Sequence, residues 1–245
     1  MSIIKDLIFA FSGKKHIALQ KIKLYEHLLD AYINKPIADG DSTGAFNKQV
    51  GRKVIFVDCL KFFKPDTIVE TGTHIGETTA YMAKESNLPI HTSEIDERYY
   101  SYAKLRCQNF DNINIYNNSS DVMLEGLRSE LKDKRVFYYL DAHFFDDLPL
   151  KREIEIIHKI SKSYFIMIDD FQVIDDAGYG YDNYGKNGVL SINYIKDLVE
   201  KYDLQIFFPV MKSEDETGYK RGSIIITSLE EVSKVADIAT LRKVK

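Results

Sequence analysis

The feature that most confines this chain is an alternation. Five short apolar runs recur, each separated from the next by an amphipathic stretch of ten or more residues. The runs are 66–70 (DTIVE), 89–95 (PIHTSEI), 113–117 (INIYN), 136–141 (VFYYLD) and 164–169 (YFIMID), and the stretches between them are 77–86, 97–109, 120–132 and 148–160. Strands spaced by helices have room for right-handed crossovers, so the pattern predicts a parallel sheet covered on both faces. The tail breaks the rhythm. After a helix at about 191–202, the runs 204–210 (LQIFFPV) and 222–227 (GSIIIT) are joined by only eleven residues, too few for a crossover helix, so these two are expected to pair antiparallel. The expected fold is α/β: a Rossmann-like seven-stranded, mostly parallel sheet with an antiparallel last strand pair, helices on both faces and an N-terminal helical extension. Ile22, Tyr25, Leu29 and Tyr32 recur at helical spacing before Pro36, and the loop-like ADGDSTG of 38–44 follows. A further helix is expected from about Gln49 to Phe63, stopped by Pro65. The reading is an extension over 1–47 and an α/β domain over 48–245.

At 245 residues the chain suits one sizeable domain with such an appendage. A formal charge of −4, with no basic stripe and no Asn/Asp-Pro-Pro-aromatic tetrapeptide, speaks against a nucleic-acid partner. Two cysteines make neither a disulfide framework nor a four-thiolate zinc site. Cys107 shares an apolar stripe with Tyr99, Ala103 and Phe110 and reads as a core thiol, as does Cys59. No apolar run reaches the ~18 residues of a transmembrane segment. The start, Met1 to Phe11, is interrupted by Lys5 and Asp6 and lacks a small-residue cleavage site, so a cytoplasmic protein is expected. The leader helices are open to three readings: a cover over the site, a homodimer contact, or a membrane-surface contact through Leu7 to Phe11.

In an open parallel sheet, ligands bind beyond the carboxyl ends of the strands. The residues that end the runs are Glu70, Glu94, the Asn117–Ser120 cluster, Asp141, and the pair Asp169 and Asp170. Acids ending four of five runs suit a cationic or hydroxyl-rich ligand. The first turn reads Glu70-Thr71-Gly72-Thr73-His74-Ile75-Gly76. Gly72 allows a tight exit and close approach to a ligand, and Gly76 allows close packing where the helix opens. The spacing is acid-x-Gly-x-x-x-Gly rather than the Gly-x-Gly-x-x-Gly of dinucleotide enzymes. Glu94, ending the second run, stands where an acid accepts ribose hydroxyls. Adjacent strands lie ~4.8 Å apart, so Asp141, Asp169 and Asp170 can converge. Such a cluster raises the pKa of at least one member unless a cation sits among them, and an all-oxygen set prefers magnesium, manganese or calcium to zinc. His143, two residues past Asp141, is the expected general base, assisted by Asp141. His74 reads as packing or orienting, and His16, His27, His91 and His158 as structural or solvated.

VETGTHIGETT, the acid of SEID and the antiparallel last pair resemble the class I S-adenosylmethionine-dependent methyltransferases over roughly residues 48–228. That resemblance places Glu70, Gly72, Thr73 and Gly76 along the methionine part of S-adenosyl-L-methionine and Glu94 on its ribose, with Asp141 at the same rim. At the third strand end, where the family often carries Gly-Asp-Ser, this chain has Asn118-Ser119-Ser120, so the adenine amino group falls to Ser119, or to Asp121 one turn later, with Ser120 beside it. The acid cluster resembles magnesium-dependent O-methyltransferases acting on catechols, macrolide sugars and related vicinal hydroxyls. Their catechol members place a lysine just after the equivalent aspartate; here Phe144 and Phe145 follow His143. A bound cation would lower the pKa of the acceptor hydroxyl and fix its direction. The seventeen residues from Gln172 to Gly188, rich in Gly and Tyr, read as a loop with no secondary structure on a mobile backbone, suited to a sugar or aromatic hydroxyl. The expectation is an O-methyltransferase acting on a small hydroxylated acceptor with a divalent cation. A nicotinamide oxidoreductase and a non-catalytic cofactor-binding module are the competing readings.

Overall fold

The computed structural model describes residues 17–19, 21–27, 29, 44–143 and 148–244. Contacts divide the chain into two units, Met1–Asp39 and Gly40–Lys245. In the first, the described residues are helical, as expected. The expectations for Leu7–Phe11, for the loop before residue 44 and for Phe144 and Phe145 fall outside the described residues. The unit boundary lies before residue 47 because Phe46 is fully buried in the second unit, its ring 5.1 Å from that of Tyr139.

The second unit opens with a 3-10 turn, Ala45–Lys48, and then α1 (Val50–Phe62). The alternation follows as read: β1 (Thr67–Thr71), α2 (Glu77–Ser86), β2 (Ile90–Ser93), α3 (Glu97–Arg106), β3 (Ile113–Tyr116), α4 (Ser120–Gly126), α5 (Arg128–Leu131), β4 (Arg135–Leu140), α6 (Leu150–Ile160) and β5 (Ser163–Ile168). The tail adds α7 (Ile192–Tyr202), β6 (Gln205–Pro209), β7 (Ile224–Thr227), α8 (Val232–Ala236) and β8 (Leu241–Lys243). Among the described residues the sheet has eight strands in the order β3-β2-β1-β4-β5-β7-β6-β8, one more than expected, because Leu241–Lys243 return as an edge strand beside β6. β1 to β5 pair in parallel, and β7 runs antiparallel to both β5 and β6.

The central strands are buried at nearly every position because both faces are covered. Val136, Tyr138, Leu140, Ile166, Ile168, Ile224 and Ile226 face one core, shared with Ile154 and Ile157 of α6. Phe137, Tyr139, Phe165, Met167 and Ile225 face the other, shared with Ile55, Phe56 and Cys59 of α1. Both cysteines are free and buried. No helix among the described residues is long and apolar enough to cross a membrane.

Candidate active site

The first turn is built around a glycine that nothing else can replace. Gly72 has φ +81°, and a Cβ there would collide with the carbonyl oxygen of Asp141 at the end of β4. Its N–H and that of Thr73 both donate to Ser93 O at 3.0 Å, tying the turn to β2. His74 and Gly76 also take positive φ, and a Cβ on Gly76 would press on Ala103 and Cys107 of the neighbouring helix segment. Glu70 is turned beneath this bend. It is buried and accepts from Thr79 Oγ1 at 2.5 Å and Thr92 Oγ1 at 2.6 Å, and burial pushes its carboxyl up to about 7. Glu94 is held from above: Oε2 accepts from the His74 N–H at 2.7 Å and Oε1 from that of Asp96 at 2.9 Å. Burial raises its pKa. The two N–H bonds fix both oxygens and leave each with a lone pair. His74 packs on Tyr99, ring centroids 4.4 Å apart, in the packing role expected of it.

At the end of β3 the expected adenine readers are engaged with one another, since Ser119 Oγ donates to Asp121 Oδ1 at 2.5 Å. Ser120 is buried at the start of α4. Asn118, named in that cluster but given no role from the sequence, has its side-chain Oδ1 buried with no hydrogen-bond partner among the described residues. Glu153 was missed by sequence reasoning. It lies fully buried on the inner stripe of α6 with Leu150, Ile154 and Ile157, and burial pushes its carboxyl up to about 7 while the hydroxyls of Ser120 and Thr71 pull it back. A carboxylate at helical spacing within an isoleucine stripe was the available signal.

The rim of β4 and β5 holds the other acids. Asp141 follows Leu140, which pairs with Ile168 just before Asp169, and burial and then the charges of Asp169 and Asp170 push it well above the usual carboxylate range. Their neutralising partners are guanidinium groups. Arg52 of α1, 2 % exposed, pairs with Asp169, and its Nη2 also donates to the backbone oxygens of Arg221 at 2.6 Å and Gly222 at 3.2 Å. Asp169 accepts further from Tyr139 Oη at 2.6 Å, Asn47 Nδ2 at 3.3 Å and the Asp170 N–H at 2.6 Å. Burial opposes its ionisation, but Arg52 overrides that and holds it below the usual range. Asp170, at φ +53°, accepts from Arg221 Nε at 2.7 Å; burial and Asp169 push it up to about 7. Arg221 also pairs with Asp182, which accepts from Tyr184 Oη. The expected divalent-cation site of Asp141, Asp169 and Asp170 is therefore not built as such. Among the described residues no group of three or more His, Cys, Asp or Glu is arranged to hold a metal ion. The physical reason is that two of the three carboxylates already carry a cation from the protein itself.

His143 is buried beside this rim, and its Nε2 lies 3.3 Å from the carbonyl oxygen of Asp169. A carbonyl only accepts, so Nε2 carries the proton and Nδ1 holds a free lone pair. That Nδ1 is buried without a hydrogen-bond partner among the described residues. Burial lowers the imidazole pKa, with Asp169 acting against the shift, so the ring is neutral near pH 7.

The loop after β5 is more ordered than its composition predicts. Gly180 bridges to Arg221 and Asn183 to Val189, Gly185–Asn187 forms a 3-10 turn, and Asp182 N–H donates to Asp170 O at 2.9 Å. Tyr179 is buried, and Tyr184 Oη donates to His143 O at 3.1 Å. Backbone pairing with the 220–222 segment supplies the order that glycines and tyrosines do not advertise.

No protein-family model and no curated protein sequence matches the chain. Solved structures do. An O-methyltransferase from Bacillus cereus, in complex with SAH, is 19% identical with a TM-score of 0.55, over 84% of this chain and 90% of that one. An O-methyltransferase from Streptomyces achromogenes involved in tomaymycin synthesis, in complex with SAM, is 13% identical with a TM-score of 0.51, over 72% and 80%. The fold is that of the class I S-adenosylmethionine-dependent methyltransferases. Shared topology puts the Gly72 bend, Glu94 and the β4–β5 rim at the carboxyl edge of such a sheet, where its ligands bind.

Proposed function

We propose that this chain is an S-adenosylmethionine-dependent O-methyltransferase acting on a small hydroxylated acceptor, a sugar, glycoconjugate precursor or vicinal diol. The observation that carries the reading is His143. A buried imidazole whose tautomer is fixed by a backbone carbonyl, with a basic nitrogen that has no partner among the described residues, at the rim of a methyltransferase-type sheet, is a prepared proton acceptor. The residues present fit the cofactor. Gly72 keeps the bend pressed on the β4 exit, where a Cβ would collide with Asp141 O, the two oxygens of Glu94 are held for a ribose, and Asn118 Oδ1, without a partner among the described residues, would accept from the adenine amino group. Glu70 acts from beneath, fixing the bend through Thr79 and Thr92.

When bound, S-adenosylmethionine supplies an electrophilic methyl group. His143 takes the acceptor hydroxyl proton at Nδ1, while Nε2–H stays on the Asp169 carbonyl and keeps the ring in place. Asp169, kept ionised by Arg52, favours the positive imidazolium that forms, whereas burial and its acidic neighbours hold Asp141 toward its neutral form. Tyr184 braces the His143 backbone through its hydroxyl. No step here runs through a metal ion.

The test is side-by-side calorimetry with S-adenosylmethionine and NAD, followed by methyl transfer to a panel of hydroxylated acceptors by the wild type and His143→Ala. Binding of the first alone, and transfer that collapses in the variant with cofactor affinity preserved, supports the reading. NAD binding instead sinks it, and cofactor binding with no transfer leaves a non-catalytic module. Because burial holds the His143 pKa below its ordinary value near 6.5, kcat should hold level through neutrality and fall only at a pH below that ordinary value, where the imidazole protonates.

A further inference from the structure

Three carboxylates gathered at adjacent strand ends ordinarily need a cation. In this protein two arrive from distant parts of the chain, Arg52 from α1 and Arg221 from the segment before β7. They are not surface partners. Arg52 is almost wholly buried and anchored by backbone oxygens at 2.6 Å and 3.2 Å, and the Arg221 side chain is 14 % exposed and shared between Asp170 and Asp182. Tyr139 and Asn47 occupy further acceptor positions on Asp169. A divalent ion would have to displace a guanidinium, whose fork meets a carboxylate with directed hydrogen bonds and resists desolvation less than an ammonium does. It would also have to strip donors from Asp169.

We infer that Arg52 and Arg221 stand in for a divalent cation at the rim, so that this chain binds cofactor and acceptor without a metal ion. The inference rests on the methyl-transfer reading for its functional half only, since metal binding can be measured without any reaction. Arg52 fixes Asp169, whose carbonyl in turn orients His143. Arg221 fixes Asp170 and the Asp182–Tyr184 pair, and Tyr184 bonds back to His143 O. Both arginines are thus positioning residues, and the rim is rigid before any ligand arrives.

The test is titration of Mn2+ alone into the chelator-treated full chain, followed by the electron paramagnetic resonance signal of the free aqua ion. The wild type should show no saturable binding up to millimolar Mn2+. Arg221→Met, which uncovers Asp170 and Asp182 beside Asp141 while leaving the buried Arg52 pair intact, should gain a Mn2+ site, on the order of tenfold tighter or more. Arg221→Gln is the second variant should the first fail to fold. In parallel, the Kd of the wild type for S-adenosylmethionine should agree within about twofold between chelator and millimolar Mn2+. A stoichiometric Mn2+ site in the wild type overturns the inference, as does a cofactor affinity or transfer rate restored only by metal, or folded Arg221 variants that gain no site. If S-adenosylmethionine binds under neither condition, the methyltransferase reading falls while the Mn2+ titration still decides this one.

Discussion

Two buried acidic regions flank the same sheet edge, and they solve the problem of a buried carboxylate in opposite ways. Beneath the Gly72 bend, Glu70 is satisfied by neutral hydroxyls, Thr79 and Thr92, and its pKa rises to about 7. At the β4–β5 rim, Asp169 is satisfied by a guanidinium and falls below the usual range. A hydroxyl shell tolerates the protonated acid and lets it stay neutral. The Arg52 guanidinium, buried against Asp169, favours the ionised form there and makes each member depend on the other. The first region is therefore a packing device that holds a turn, and the second is a charge lattice that aligns His143.

The sharpest way to break this contrast is Arg52→Met. Leaving Asp169 buried without its cation should cost about 3–5 kcal/mol in urea-induced unfolding, and adding Asp169→Leu should recover most of that. A single variant as stable as the wild type would mean that the rim is not charge-locked. Next in size, His143→Ala should lower kcat by ~10²–10⁴ while the Kd for S-adenosylmethionine stays within about twofold, which separates the rim from the turn. Gly72→Ala attacks the other side. Its positive φ and the collision with Asp141 O should destabilise by ~1–3 kcal/mol and weaken cofactor binding, with little change in the acid titration of the rim.

A smaller effect comes from pH. Glu70 titrates near 7 folded and ~4.3 unfolded, so between those values the folded chain keeps a proton that the unfolded chain has lost, and stability falls as pH rises through that window. Asp169, depressed in the fold, has the opposite sign: its contribution is present above ~3.9 and is lost as pH falls through the folded value. Glu70→Gln should flatten the slope between about pH 5 and 8 by on the order of 1–3 kcal/mol and leave the acid limb unchanged, as read from denaturation curves across pH. The smallest change serves as a control. Lys151→Ala, which removes a surface pair with Asp197, should shift stability by ~0–1 kcal/mol.

The alternation of apolar runs and amphipathic stretches determined the parallel sheet, its helices and the reversed last strands. Those are local facts: burial on both faces requires an unbroken apolar run, and eleven residues cannot make a crossover. The edge strand β8 escaped because three residues carry no periodicity of their own. The glycine bend was equally legible, since positive φ and close backbone approach select one residue type at one place. The acids at the strand ends could be listed from the sequence, but their partners could not. Arg52 lies 117 positions from Asp169, and Arg221 lies 51 from Asp170. Only the folding of α1 onto one sheet face and of the 220–222 segment against the β5 exit brings the four groups together. The same spatial accident of packing leaves Nδ1 of His143 and Oδ1 of Asn118 without partners among the described residues. A side chain's charge is written in the sequence; what neutralises it is decided by where the rest of the chain comes to lie, because electrostatics acts through space and not along the backbone.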